Sequence, residues 1–117
     1  MKQTSSLTRN LTAAQESATL ARSTQGVLYR LYVGIPDSTS HREAVASIVA
    51  RYFPGATIYG CDGLWQGSTE YCNAIDILAT ANDLQQIVSL AGDLRHVYGQ
   101  DCVLVVWSAC SSLLVTA

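Results

Sequence analysis

Tyr59-Gly60-Cys61-Asp62-Gly63-Leu64-Trp65-Gln66-Gly67-Ser68-Thr69-Glu70-Tyr71-Cys72 decides the fold. It lies between two strand-like runs and holds a tryptophan, three glycines and two cysteines. A two-residue turn at Gln66-Gly67 fixes the pairing on either side of it. Ile58 then faces Ile75 and Ala56 faces Ile77 on one side of the hairpin. On the other side Tyr59 meets Ala74, Thr57 meets Asp76, and Cys61 meets Cys72. A slip of one residue would bury Asp76, so the register is specified.

The two cysteines therefore share the sheet face away from the core. Three readings stand for them: packing residues under a partner subunit, a cross-strand disulfide, or a metal site. The spacings Cys61-x10-Cys72 and Cys102-x7-Cys110 lack the close Cys-x-x-Cys of zinc knuckles, so no metal is expected.

Working outward, Val27, Tyr29, Leu31, Val33 and Ile35 alternate with Leu28, Arg30, Tyr32 and Gly34, a strand pattern. Ser40-His41-Arg42-Glu43 reads as a capping box for a helix with Ala44, Val45, Ile48, Val49 and Tyr52 on one side, ended by Pro54-Gly55. Thr80 or Asn82 caps a second helix with Leu84, Ile87, Ala91, Leu94 and Val97 as its stripe and Gly99 as its stop. Cys102–Trp107 has the apolar character of a strand buried on both faces. After a break at Ser111-Ser112, Leu113-Leu114-Val115 reads as a short extra strand. Before Val27, Leu7, Leu11, Ala14, Ala18 and Ala21 recur at helical spacing, with Gly26 as a stop. The expected fold is thus α+β: a ferredoxin-like β-α-β-β-α-β plait with an extra N-terminal helix and a short C-terminal strand. Residues 1–26 form a helical or flexible extension and residues 27–117 the ferredoxin-like domain.

At 117 residues the chain can build a core without staples, and 49% hydrophobic against 14% charged residues excludes a disordered chain. That apolar surplus points to a homo-oligomer, dimer or trimer. Seven basic residues against nine acidic ones, with scattered arginines, leave no footprint for nucleic acid. No run is long and apolar enough for a membrane span, and the first residues do not read as an export signal. The expectation is a cytoplasmic protein with reduced thiols.

No catalytic motif is present: no Gly-x-Ser-x-Gly elbow, phosphate-binding glycine loop or His-Glu-x-x-His. His41 and His96 read as surface residues. Trp65 at the hairpin tip suits a ligand ring.

Tyr32-Val33-Gly34, the helix running into Tyr52-Phe53-Pro54-Gly55-Ala56-Thr57, the Gly63-Leu64-Trp65 loop, Glu70, and Arg95-His96-Val97-Tyr98-Gly99-Gln100-Asp101-Cys102-Val103-Leu104 resemble a family of small bacterial ferredoxin-like proteins known only as a domain of unknown function. The resemblance covers about residues 27–107. It implies a fold and no activity. More loosely, the plait and its β-hairpin excursion resemble PII-like and CutA-like proteins, where such excursions and intersubunit clefts bind nucleotides or metal.

These readings give a non-catalytic oligomeric domain binding a small ligand, nucleotide or another anionic metabolite, without a cofactor. Trp65 stacks, Gln66 and Glu70 hydrogen-bond, Tyr59 walls the pocket, and Arg30 or Arg95 supplies positive charge. Leu28, Tyr32, Cys61, Cys72 and Ala74 form the oligomer interface. The alternatives are a protein-interaction or inhibitor module gripping through the N-terminal helix, and an enzyme of the dimeric α/β-barrel type.

Overall fold

Alternating apolar residues make Ser23–Gly34 the first strand, β1, in the computed structural model, which describes residues 23–36 and 41–116. Helix α1 (Arg42–Val49) follows, then β2 (Thr57–Trp65), β3 (Ser68–Ala79), a 3-10 turn (Ala81–Asp83), helix α2 (Leu84–Val97) and β4 (Leu104–Leu113). The four strands form one antiparallel sheet in the order β2-β3-β1-β4. Gln66 and Gly67 take φ of 49° and 82°, the paired positive angles of a two-residue hairpin turn. Across it Thr57 pairs with Asp76, Ile58 with Ile75 and Cys61 with Cys72, the register read from the sequence.

One face of the sheet carries the core. Tyr29, Leu31, Val33 and Ile35 of β1 and its extension join Ile75 and Ile77 of β3 there. Val45, Ile48 and Val49 of α1 and Ile87, Leu90, Ala91 and Leu94 of α2 close over them. Each fully buried Leu or Ile contributes about 1.5–3 kcal/mol relative to an exposed one. The helix starts differ from each other. Thr80 caps the 3-10 turn reciprocally, its hydroxyl accepting from the Asn82 amide while the Asp83 carboxylate accepts from the Thr80 amide. Helix α1 has His41 at its N-cap with no side-chain cap bond, and the expected cap, Ser40, lies outside the described residues. Gly99, at φ 60°, ends α2 as expected.

The expected ferredoxin-like plait with an extra N-terminal helix and a short C-terminal strand is corrected on these points. Among the described residues the structure is a four-stranded antiparallel sheet with two helices. Gly26 does not stop a helix; it lies inside β1, paired with Cys110. The expected helix from Leu7 to Ala21 lies outside the described residues. Ser111-Ser112 does not break the last strand, because Gln25 and Thr24 of the early part of β1 supply it with partners. Leu113 ends β4 rather than opening a new strand. Nor is the last strand buried on both faces: it is a sheet edge, and Leu104, Val106 and Trp107 are exposed. An edge strand has one neighbour, so apolar composition alone does not place it inside.

Among the described residues one buried side chain lacks partners. Asn73 is fully buried on the core face of β3, and neither its amide nitrogen nor its carbonyl oxygen has a hydrogen-bond partner. Such a group costs about 1–3 kcal/mol. Asn73→Leu keeps the branching and the number of heavy atoms and removes the two unmet polar atoms. Thermal unfolding followed by circular dichroism is expected to show a higher Tm, by about 4 °C or more for each kcal/mol recovered; a lower Tm would mean the amide is satisfied in solution.

Candidate functional site

Strand parity that sends Ile58, Ile75 and Ile77 to the core sends their neighbours to the open face. Tyr32 and Gly34 from β1, Cys61, Gly63 and Trp65 from β2, and Glu70 and Cys72 from β3 gather at one end of that face. Together with the loop from Gly99 to Val103 they line a groove of about 660 Å³. That volume suits a nucleoside-sized ligand.

The sheet splits at this groove. Gly34–Cys72 is the last pair between β1 and β3, and a bond from the Ile35 amide to the Tyr71 carbonyl (2.9 Å) finishes that contact. Beyond it the hairpin from Asp62 to Tyr71 continues as two strands alone. Cys61 and Cys72 are joined by a disulfide at this boundary, with Cα atoms 5.1 Å apart. The expectation that these cysteines are reduced thiols is corrected for this pair. Cys102 and Cys110 are free.

Gly34 is where side chains converge. A Cβ built there would fall 2.5 Å from Glu70 Oε1 and nearer still to Gln100 Oε1. The Gln100 side-chain amide donates to the Tyr98 carbonyl at 3.2 Å, which leaves its oxygen directed towards Glu70. Two acceptors thus meet over a bare Cα, an arrangement that suits a donor or a cation. The charges agree. Glu70 and Asp101 line the groove, Asp62 borders it from a strand position that faces the other side of the hairpin, and among the described residues no Lys, Arg or His lines it.

The expected sources of positive charge are committed elsewhere. Arg30 makes a two-pronged ion pair with Asp76, Nε to Oδ1 at 2.5 Å and Nη2 to Oδ2 at 2.9 Å. The Tyr59 hydroxyl lies 3.4 Å from both carboxylate oxygens. The hydrogen bond from Arg30 holds Asp76 below the usual carboxylate range, and burial, then the Asp76 charge, pushes the Tyr59 hydroxyl up. Arg95 is exposed on α2, its Nη1 donating at 3.4 Å to the Gln100 carbonyl, so it braces the loop from outside. Gln66 occupies the exposed turn.

Of the expected ligand residues the structure therefore brings Trp65 and Glu70 to the groove, with Tyr59 and Arg30 in a separate cluster on the same face. Among the expected interface residues, Tyr32, Cys61 and Cys72 line the groove, while Leu28 and the fully buried Ala74 lie on the open face beside it. Gln100 and Gly34 were not singled out as site residues, although both fall within the stretches that carried the family resemblance. His41 is half-buried rather than solvent-facing, its ring edge-on to Tyr98 at 5.6 Å between centroids. Among the described residues no group of three His, Cys, Asp or Glu side chains gathers to hold a metal. No described helix is long and apolar enough to cross a membrane.

No protein-family model and no curated protein matches the chain. Among solved structures, a phage SAM lyase in its apo state aligns with a TM-score of 0.59 at 20% identity, covering 80% of this chain and 93% of that one. LarC2, the C-terminal domain of a cyclometallase involved in the synthesis of the NPN cofactor of lactate racemase, aligns in its apo form with a TM-score of 0.45 at 12% identity, over 76% and 58% of the two chains. At such identities the likeness to the phage enzyme is one of fold. It is the fold of an enzyme across nearly the whole of that chain, and this overturns the expected non-catalytic binding domain. Among the described residues the groove offers no basic side chain to the expected anionic ligand.

The Arg30–Asp76 pair sets a pH dependence. Asp76 titrates in the unfolded chain near 3.8 and lower in the folded one. Its contribution is therefore present above that unfolded value and is lost as pH falls through the folded one. In thermal unfolding between pH 6 and pH 2.5 (a range of about 2 units around the carboxylate value), Asp76→Asn is expected to be less stable than the parent at neutral pH and to lose less on acidification. Parallel curves for the two proteins would refute the pair's role.

Proposed function

We propose that the chain is an enzyme acting on a cationic, nucleoside-sized sulfonium compound, S-adenosylmethionine being the candidate, and that it breaks a carbon–sulfur bond as a lyase. The observation that carries this reading is the groove lined by Glu70 and Asp101 and, among the described residues, by no cationic side chain. The fold shared with the phage SAM lyase adds to it. A fold alone assigns no activity, so the weight rests on the site.

The chemistry suits so small a catalytic inventory. A sulfonium departs as a neutral thioether, so no acid has to protonate the leaving group. The electron pair of the broken bond returns to sulfur. In a lyase the carbon left behind is satisfied within the substrate, by an internal nucleophile or by loss of a neighbouring proton. What the protein supplies is orientation and exclusion of water. Trp65 and Tyr32 offer aromatic faces to a base or to the sulfonium, a cation–π contact. Glu70 with Gln100 holds an ammonium group if the nucleophile is internal, and Glu70 is the base if a proton is lost.

The test is incubation of the protein with S-adenosylmethionine and mass-spectrometric detection of a methylthio-nucleoside product. Turnover is expected, falling about 100-fold or more in Glu70→Gln. Gly34→Ala, whose new methyl displaces Glu70 and Gln100, is expected to lose about tenfold with the Tm little changed. Absence of turnover and of calorimetric binding, with an anionic nucleotide bound instead, would overturn the proposal.

We place this activity in the cytoplasm, where a nucleoside sulfonium is at hand, and in a homo-oligomer. Leu78, Leu104 and Val106 on the open face are 59%, 57% and 42% exposed, an apolar surface that a second copy would shelter. Native mass spectrometry is expected to give a multiple of the single-chain mass, reduced to one chain by Leu78→Glu with Val106→Glu. A parent protein that runs as a monomer would remove the oligomer from the proposal.

A further inference from the structure

The Cys61–Cys72 disulfide has a place in the fold that packing does not require. It crosses the hairpin where β3 leaves β1, at the last row with three strands. Outboard of it stand the pairs Gly63–Glu70 and Trp65–Ser68, which carry two of the groove's functional side chains. That outer hairpin buries no residue of its own: Asp62, Leu64, Trp65, Gln66, Gly67, Ser68 and Thr69 are exposed, and the others are at most half-buried. A two-stranded hairpin without a packed face is marginal by itself. Glu70 and Cys72 are also close neighbours, since a Cβ on Gly63 would lie 3.8 Å from both Glu70 Cγ and Cys72 Sγ.

From this we infer that the Cys61–Cys72 disulfide is a redox latch on the groove. Oxidised, it ties the outer hairpin to the sheet and holds Trp65 and Glu70 over the groove. Reduced, it leaves residues 62–71 anchored through backbone pairing alone, and the hairpin opens and closes. The reductant is a dithiol. Cys72 is buried and Cys61 half-buried, so the dithiol's first thiolate attacks Cys61 Sγ. The S–S bond breaks with its electron pair leaving on Cys72 as a thiolate, which takes up a proton. The second thiol of the reductant then attacks the mixed disulfide and closes its own ring, releasing Cys61. Two electrons and two protons pass to the cysteines, and the dithiol becomes a disulfide. The thiol poise around the protein thereby sets the fraction of latched groove. Cys102 lines the same groove, but its sulfur is not part of this exchange.

The latch acts on the groove of the proposed enzyme, but its test reads the backbone rather than turnover, so either idea can fail without the other. The full chain is air-oxidised, and one portion is then treated with dithiothreitol. Alkylation followed by intact-mass measurement is expected to label two cysteines before reduction, Cys102 and Cys110, and four after it. Amide hydrogen exchange in residues 62–71 is expected to quicken about tenfold on reduction, while residues 27–33 and 84–97 stay unchanged. The double variant Cys61→Ser, Cys72→Ser is expected to exchange like the reduced protein and to ignore dithiothreitol; if it does not fold, the parent's two forms decide alone. Four labelled cysteines before reduction, equal exchange of residues 62–71 in both forms, or faster exchange throughout the chain would each overturn the latch.

Discussion

The two-residue turn at Gln66-Gly67 sets the parity of the hairpin, and most of what the molecule presents to a ligand follows from it. With that turn in place Ile58, Ile75 and Ile77 point one way and Cys61, Gly63, Trp65, Glu70 and Cys72 the other. One extra residue in the turn would reverse one strand against the other and part Trp65 from Glu70 onto opposite faces. The same parity passes to β1 through its pairing with β3. Gly34 opposite Cys72 comes to lie beneath Glu70 because Val33 and Ile35 on either side of it are in the core.

The groove's sign is a matter of placement rather than of net charge. A balance of −2 over the whole chain says nothing of where the carboxylates stand. Among the described strands Arg30 is the one cation, and its register partner is Asp76, so the two neutralise each other in mid-sheet. Arg95 lies outside the loop it braces. What remains at the end of the open face, among the described residues, is Glu70 and Asp101 with aromatic surface beside them, Asp62 lying at the rim on the opposite strand parity. In a partly enclosed groove such charges are less screened than on a flat surface. A cationic ligand would be drawn there and an anionic one repelled.

The hairpin was legible in the sequence because its evidence is local: a period of two, a turn dipeptide and a charge that must stay out. The bodies of both helices and the glycine that ends α2 were legible for the same reason. Long-range facts were not. The apolar run of β4 fits an edge strand as well as a central one, and only its neighbours distinguish the two. Ser111-Ser112 looks like a break until β1 is known to reach back to Ser23. Arg30 looked available for a ligand because its partner, Asp76, is 46 residues away and is met only through the β1–β3 register. Trp65 and Glu70 were found because the hairpin puts them on one face. Gln100 and Gly34 were not, because their meeting needs a loop, a strand end and a hairpin in one place.

The row just inside the disulfide bears on why the site lies where it does. Val33, Asn73 and Gly60 stand side by side across β1, β3 and β2. Gly60 offers no side chain to that row, and Asn73 offers a buried amide without partners. Two rows further in, Leu31, Ile75 and Ile58 pack conventionally. Cohesion therefore falls off along the sheet towards the groove before the strands separate. A protein that kept its strongest packing up to the hairpin would couple every movement of Trp65 and Glu70 to the core. Here a weak row followed by a covalent tie separates the two, so the end that meets a ligand can be held or released while the helices stay in place.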